Sequence, residues 1–173
     1  MKIFGLAGWS GSGKTTLLTR LLPELIGRGY AVSTVKHAHH NFDIDKPGKD
    51  SFEHRRAGAT EVMVSSANRW ALMHEIRDTP ELNLEALVAR MSPVDLLLVE
   101  GFKRDSHAKL EIHRPSVGKE LLCLDDPYIV AVASDEAIPK VCIPVLDLDD
   151  VPTIANFILA HVGLMRSVPL GAA

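Results

Sequence analysis

Cysteine is scarce in this chain. Cys123 and Cys142 are its only two, 19 positions apart and without a CxxC neighbour, which disfavours a zinc ribbon or a redox pair and reads as two reduced, buried thiols. Long apolar runs are missing as well: no segment approaches the roughly 18 uninterrupted apolar residues of a membrane span. The N-terminus, MKIFGLAGWSGSGK, has one lysine and a short apolar run before a glycine-rich stretch, so the apolar region of a secretory signal is absent and a cytoplasmic protein is expected. Neither sign of charge dominates. With 19 Lys+Arg against 22 Asp+Glu and a formal net charge of -3, the chain lacks the basic footprint of a nucleic-acid partner. Internal repeats, low-complexity tracts and domain linkers are also lacking.

What is present is ordinary for a folded protein. At 173 residues, 46% hydrophobic and 24% charged, the chain reads as one domain over 1–173, long enough to bury roughly 70% of its unfolded surface.

Residues Lys2 to Ala7 read as a short buried strand. Lys14 to Ile26 read as a helix with Leu17, Leu18, Leu21, Leu22, Leu25 and Ile26 on its core side, kinked at Pro23 and ended by Gly27 to Gly29. A strand at Ala31 to Lys36 completes a βαβ unit with parallel strands. His37 to Asp50 is a long polar loop. Asp50 is expected to cap the next helix with Glu53 three residues on, and Gly58 to stop it. Thr60–Ser66 and Arg69–Ile76 read as a hairpin across Ala67 and Asn68 that adds an antiparallel pair to the sheet. Thr79 and Pro80 open a helix running to Met91, with Leu82, Leu84, Leu87, Val88 and Met91 buried. Pro93–Phe102 holds the strongest buried-strand signal, AKLEIHR, YIVAVAS and IPVLDL supply further strands, and Asp150 and Pro152 start a last helix. Strands alternating with helices predict an α/β fold with a mostly parallel sheet covered on both faces.

The stretch Gly8-Trp9-Ser10-Gly11-Ser12-Gly13-Lys14-Thr15 matches GxxxxGK[ST] at every fixed position, between a strand and a helix. Glycine at Gly8, Gly11 and Gly13 lets successive backbone N–H groups converge on phosphate oxygens. The helix beginning near Lys14 adds about half a positive charge at its N-terminus. Ser10 and Ser12 belong to the same cradle. Lys14 reaches the terminal phosphates, the Thr15 hydroxyl completes a Mg²⁺ shell, and Thr16 supports the neighbouring phosphate or the helix start.

Such a site needs an acidic residue at the end of a nearby buried strand. Glu100 follows LLLV and precedes Gly101, at the carboxyl edge where open α/β sheets bind ligands, and is read as metal-linked or catalytic together with Lys14. Asp95, at the other end of that strand, is read as structural. Asp45 is the choice for a second Mg²⁺ contact. His37, His39 and His40 form a cluster that fits a transition metal, contact with an anionic ligand, or harmless exposure.

The chain has no NKxD for guanine. The nearest acceptor is Asp135 in ASDE, after the strand IVAVAS, and the motifs alone leave GTP and ATP nearly equal. The combination GWSGSGKTTL, KHAHHNFDIDKPGKDSFEHRRAGA, RWAL, LLLVEGFK and IVAVASD closely resembles the MobB family, the GTP-binding adapter proteins of molybdopterin guanine dinucleotide biosynthesis, in the same order over residues 1 to about 160. The resemblance implies a three-layer P-loop NTPase fold with an antiparallel hairpin, Mg²⁺-dependent GTP binding with weak hydrolysis, and a homodimer. It also implies partnership with the enzyme that transfers GMP onto molybdopterin, with molybdopterin itself as a further contact. The cradle then falls on Gly8 to Thr16, the acidic strand end on Glu100 and the base-side acceptor on Asp135. Arg55 and Arg56 are read as charges for a dimer-borne site or as a solvated helix face. The tail ending SVPLGAA carries no assigned role. Two alternatives stay open: a small-molecule kinase, for which HRPSVGKE is the candidate lid, and a metallochaperone GTPase.

Overall fold

The computed structural model describes residues 1–38, 42–102, 105–139 and 141–165; His39, His40 and the SVPLGAA tail lie outside them. In chain order the elements are β1 (Lys2–Ala7), α1 (Lys14–Gly27), β2 (Val32–Lys36), α2 (Asp50–Arg56), β3 (Glu61–Ser65), β4 (Trp70–His74), α3 (Leu84–Val88), β5 (Leu96–Glu100), β6 (Lys109–His113), β7 (Ile129–Ser134), β8 (Val145–Asp147) and α4 (Val151–His161). The chain forms two compact units: Met1–His37 together with the chain from Ser92 onward, and Ala38–Met91.

The first unit is built on a six-stranded sheet in the order β2-β5-β1-β6-β7-β8, in which every pairing is parallel. Side chains alternate between its two faces. On one face Phe4, Leu6, Leu96, Leu98, Leu110 and Ile112 meet Leu17, Leu21 and Leu25 of α1 and Ile154 and Ile158 of α4 in a single buried cluster. Each such leucine or isoleucine contributes about 1.5–3 kcal/mol by leaving water. On the other face Leu97, Val99 and Val132 are also fully buried, so the central strands are covered on both sides, as a parallel sheet requires. α1 follows the expected apolar stripe with one exception: Ile26, one residue from the end, is 55% exposed. α4 starts as expected, Asp150 accepting from the Thr153 amide at 3.0 Å. Asp95 has the structural role assigned to it, accepting from the Ala31 amide at 2.8 Å.

The second unit holds the hairpin. β3 and β4 pair antiparallel from Glu61↔His74 to Ser65↔Trp70, but they form a separate two-stranded sheet instead of extending the large one. Two helices also differ from expectation. Asp50 is not the cap of α2: Lys49 holds that position in extended conformation without a side-chain bond, while Asp50 and Glu53 lie in the first turn and act there on the helix dipole. α3 begins at Leu84, not Thr79, because the Asn83 side chain takes the Ala86 amide at 2.9 Å and the residue before Pro80 is disfavoured from helical geometry.

Polar groups are also buried on the second face of the large sheet. Lys109 is 1% exposed; its ammonium donates to the Asp105 carbonyl at 2.7 Å and to Asp126 at 3.0 Å, over the Tyr128 ring. Beside it both ring nitrogens of His107 are buried without a hydrogen-bond partner among the described residues. Burial holds the His107 imidazole below its ordinary value, and the Lys109 ammonium adds to this against the opposing pull of Asp105 and Asp126. The unfolded chain therefore binds this proton more readily than the folded one. The stabilisation is complete above about pH 6.5 and is lost as pH falls from there toward the lower folded value. We expect the urea-unfolding free energy to fall between about pH 7 and pH 5, and His107→Phe to flatten that fall. An unchanged slope in the variant would assign the pH dependence to other groups.

Candidate functional site: the phosphate loop and its rim

β1 lies between β5 and β6, so the loop leaving it emerges at the middle of the sheet's carboxyl edge. The turn depends on Gly8. Its φ is 145°, and a Cβ there would stand 2.5 Å from the Ile112 carbonyl oxygen and 2.7 Å from the Ser12 hydroxyl. Only a bare backbone can pass so close to β6. At the far end Gly13, φ 97°, starts α1 without any side-chain cap, and α1 has no acidic residue in its first turn. The 14-residue helix thus presents its first N–H groups and the positive end of its dipole to the loop.

Five side chains complete the cradle. Lys14 folds back across the loop, its ammonium donating to the carbonyls of Gly8 at 2.9 Å and Trp9 at 2.8 Å. The Ser12 hydroxyl is buried and has no hydrogen-bond partner among the described residues, which leaves its desolvation uncompensated by them. Thr15 and Thr16 are exposed at the helix start, as is Ser10 in the loop.

Glu100 ends β5 as expected, opposite Leu6 of β1 and Lys36 of β2. Its side chain is 11% exposed, with the Lys36 ammonium at 4.0 Å, and its carbonyl accepts from the His37 amide at 2.8 Å. His37 packs against Phe102, ring centroids 4.9 Å apart. Phe102 itself adopts φ 47°, a left-handed conformation that costs a non-glycine residue about 1–2 kcal/mol. The chain therefore leaves the Glu100 strand end under strain, as functional sites often do.

Asp45 is engaged differently from expectation. It belongs to the second unit, where Arg55 donates to both its oxygens, at 2.8 and 3.3 Å. Arg55 also meets Asp43 at 3.3 Å and Glu75 at 3.6 Å, so its charge is committed within its own unit. Among the described residues no group of three His, Cys, Asp or Glu gathers as a metal site. The cysteines are free, but Cys142 is exposed, contrary to expectation. Cys123 has its thiol pushed up to about 11 by burial and the Glu111 carboxylate.

Asp135 follows β7 as expected and is held by Arg114, which follows β6. The sequence places Arg114 at the end of the AKLEIHR strand and in the HRPSVGKE stretch, with no site role; its place one residue past the observed strand, at the same edge as the loop, was the available signal. That stretch is tied to the loop. The Trp9 indole donates to the Glu120 carbonyl at 2.8 Å, and the Lys119 ammonium lies 5.8 Å over its ring. Glu111, fully buried, anchors the far side by accepting from the amides of Leu122 at 2.8 Å and Cys123 at 2.9 Å.

A glycine-rich loop on a central parallel strand, an uncapped helix behind it and an acidic neighbouring strand end define a P-loop α/β protein. Over residues 3–135 the sequence matches the family described as MobB, Molybdopterin guanine dinucleotide synthesis protein B, and the chain belongs to that family. It is 46% identical over 162 residues to the molybdopterin-guanine dinucleotide biosynthesis adapter protein of Escherichia coli, spanning 91% of each chain. To the adapter protein of the same description from Haemophilus influenzae it is 42% identical over 156 residues, 90% of this chain and 86% of that one. The fold matches the crystal structure of a molybdopterin-guanine biosynthesis protein B with a TM-score of 0.73 at 28% identity, over 92% of this chain and 99% of that one.

Because Gly8 combines a left-handed backbone with a carbonyl at its Cβ position, Gly8→Ala should lower stability by about 2–6 kcal/mol, measured by urea unfolding. A loss under about 1 kcal/mol would mean that the loop relaxes away from β6.

Proposed function

We propose that this protein is a GTP-binding, weakly hydrolysing adapter that assists the enzyme attaching GMP to molybdopterin. One observation carries the nucleotide reading: Lys14 stands at the start of an uncapped helix and folds back over the loop, its ammonium on the carbonyls of Gly8 and Trp9. A cation there opposes the helix dipole, and an anionic ligand reverses the sign of that arrangement. The buried Ser12 hydroxyl, unpartnered among the described residues, supports the same reading, since a phosphate oxygen bound in the cradle would satisfy it.

The residues fit a Mg²⁺–nucleotide pair. Gly8 to Thr16 would hold the phosphates, Lys14 would neutralise their charge, and Thr15 and Glu100 would hold the metal. Mg²⁺ bound there would withdraw charge from the phosphate oxygens. Glu100, mostly buried at its strand end, would also orient water. Asp45, engaged through both oxygens by Arg55, would serve as a second metal contact only by sharing its carboxylate, so the metal reading rests chiefly on Thr15 and Glu100. Asp135 offers the carboxylate that accepts from guanine N1–H and N2–H. Hydrolysis stays slow because the Arg55 charge is taken up by Asp43, Asp45 and Glu75.

The homodimer fits the ribbon of the second unit. On one of its faces Met63, Leu72 and Trp70 are 62%, 43% and 66% exposed, flanked by the Glu61–His74 pair. An isolated two-stranded sheet is marginal in water. A contiguous apolar face of this kind marks a contact surface, and a second copy would cover it symmetrically.

Two experiments test this reading. Calorimetric titration with GTP, ATP and GDP, with and without Mg²⁺, should give Mg²⁺-dependent binding that favours GTP. Lys14→Ala should lose about 1.5–3 kcal/mol of it, and Glu100→Gln its Mg²⁺ dependence; unchanged affinity in Lys14→Ala would reject the cradle. In sedimentation velocity Trp70→Glu should move the protein from dimer to monomer while nucleotide binding persists, and a dimer unaffected by that change would place the interface elsewhere.

A further inference from the structure

Arg114 is the cation at the rim of the loop that the family motifs do not name. β6 and β7 pair in parallel with His113 opposite Ser134, so Arg114 and Asp135 each stand one residue past neighbouring strand ends. The two form an ion pair through Asp135 Oδ2. The same guanidinium also lies against the start of α1: a Cβ built on Gly13 would be 3.4 Å from its Nε and 3.8 Å from a terminal nitrogen. Its backbone is fixed by the tight turn Pro115–Val117, the Val117 amide donating to the Arg114 carbonyl at 3.0 Å. Both side chains keep partial access to solvent, 33% for Arg114 and 25% for Asp135, so a ligand can reach them.

We propose that Arg114 is a positioning residue for base selection, tying the Asp135 carboxylate to the Gly13 end of the phosphate loop so that the base acceptor is set relative to the phosphates. This rests on the GTP reading above. A carboxylate has about four lone-pair sites. The Arg114 contact engages Oδ2 and leaves Oδ1, with a second site on Oδ2, for the paired N1–H and N2–H donors of guanine. Adenine presents an N1 acceptor at that edge, which a carboxylate held in this orientation repels. Without Arg114 the carboxylate is free to rotate, and the adenine penalty relaxes.

The test is the GTP:ATP affinity ratio, with inorganic tripolyphosphate as a probe that has no base. In Arg114→Gln the ratio should fall by about tenfold, the scale of one lost polar constraint, while tripolyphosphate affinity changes less than about twofold. Arg114→Lys, which keeps the charge, should restore part of the ratio. In an Asp135→Ala background Arg114→Gln should change the ratio no further. Equal weakening of GTP, ATP and tripolyphosphate would make Arg114 a phosphate ligand or a purely structural residue and overturn the proposal. So would an unchanged ratio in Arg114→Gln, or an additive effect in the Asp135→Ala background. A wild-type protein that binds tripolyphosphate but does not prefer GTP to ATP would instead overturn the guanine reading itself, and that result is visible before any variant is made.

Discussion

Everything at the carboxyl edge of the large sheet depends on one close approach, that of the Gly8 backbone to the Ile112 carbonyl. A Cβ at that position would sit 2.5 Å from the oxygen, well inside contact distance, so the chain can leave β1 and turn over the end of β6 only as glycine. That turn buries Ser12 and lays Lys14 across the loop carbonyls. It also brings Gly13 beside Arg114. The cradle is therefore set by packing between adjacent strands as much as by the freedom of glycine, and its stiffness comes from a core in which the central strands are covered on both faces.

The loop is also braced from outside. Glu111 faces the opposite side of the sheet from Leu110 and Ile112 and holds the chain at Leu122 and Cys123; a few residues earlier, Glu120 accepts from the loop's own Trp9. A buried carboxylate with two amide partners is costly to leave unsatisfied, so this arrangement fixes the excursion between β6 and β7 against the loop. The excursion would serve a kinase as a lid. Here it is tied to the loop through Trp9.

Much of this was legible in the sequence because it rests on short periods and fixed spacings. β1, α1, β5 and α4 fall where the apolar patterns and the cap at Asp150 place them, and Glu100 follows directly from ending the most apolar strand. The misses have particular causes. Pattern cannot say which sheet a strand joins, so β3 and β4 were expected in the large sheet and stand apart. α3 is a short helix begun by Asn83, and the apolar spacing from Leu82 to Met91 concealed how little of it is helical. The pairing of Asp45 with Arg55, ten residues away, was not legible either, because only the fold brings the two together. Arg114 was missed for a related reason: residue order marks its place just past a strand, but not the reach of its guanidinium to a neighbouring strand end and a helix start.

The contact between Trp9 and Glu120 carries an optical consequence. Of the chain's two tryptophans, Trp9 belongs to the phosphate loop, under the Lys119 ammonium, and Trp70 to the exposed face of the ribbon. With no third indole in the chain, the tryptophan emission of Trp70→Phe would come from the cradle alone. The cradle is in that sense its own fluorophore.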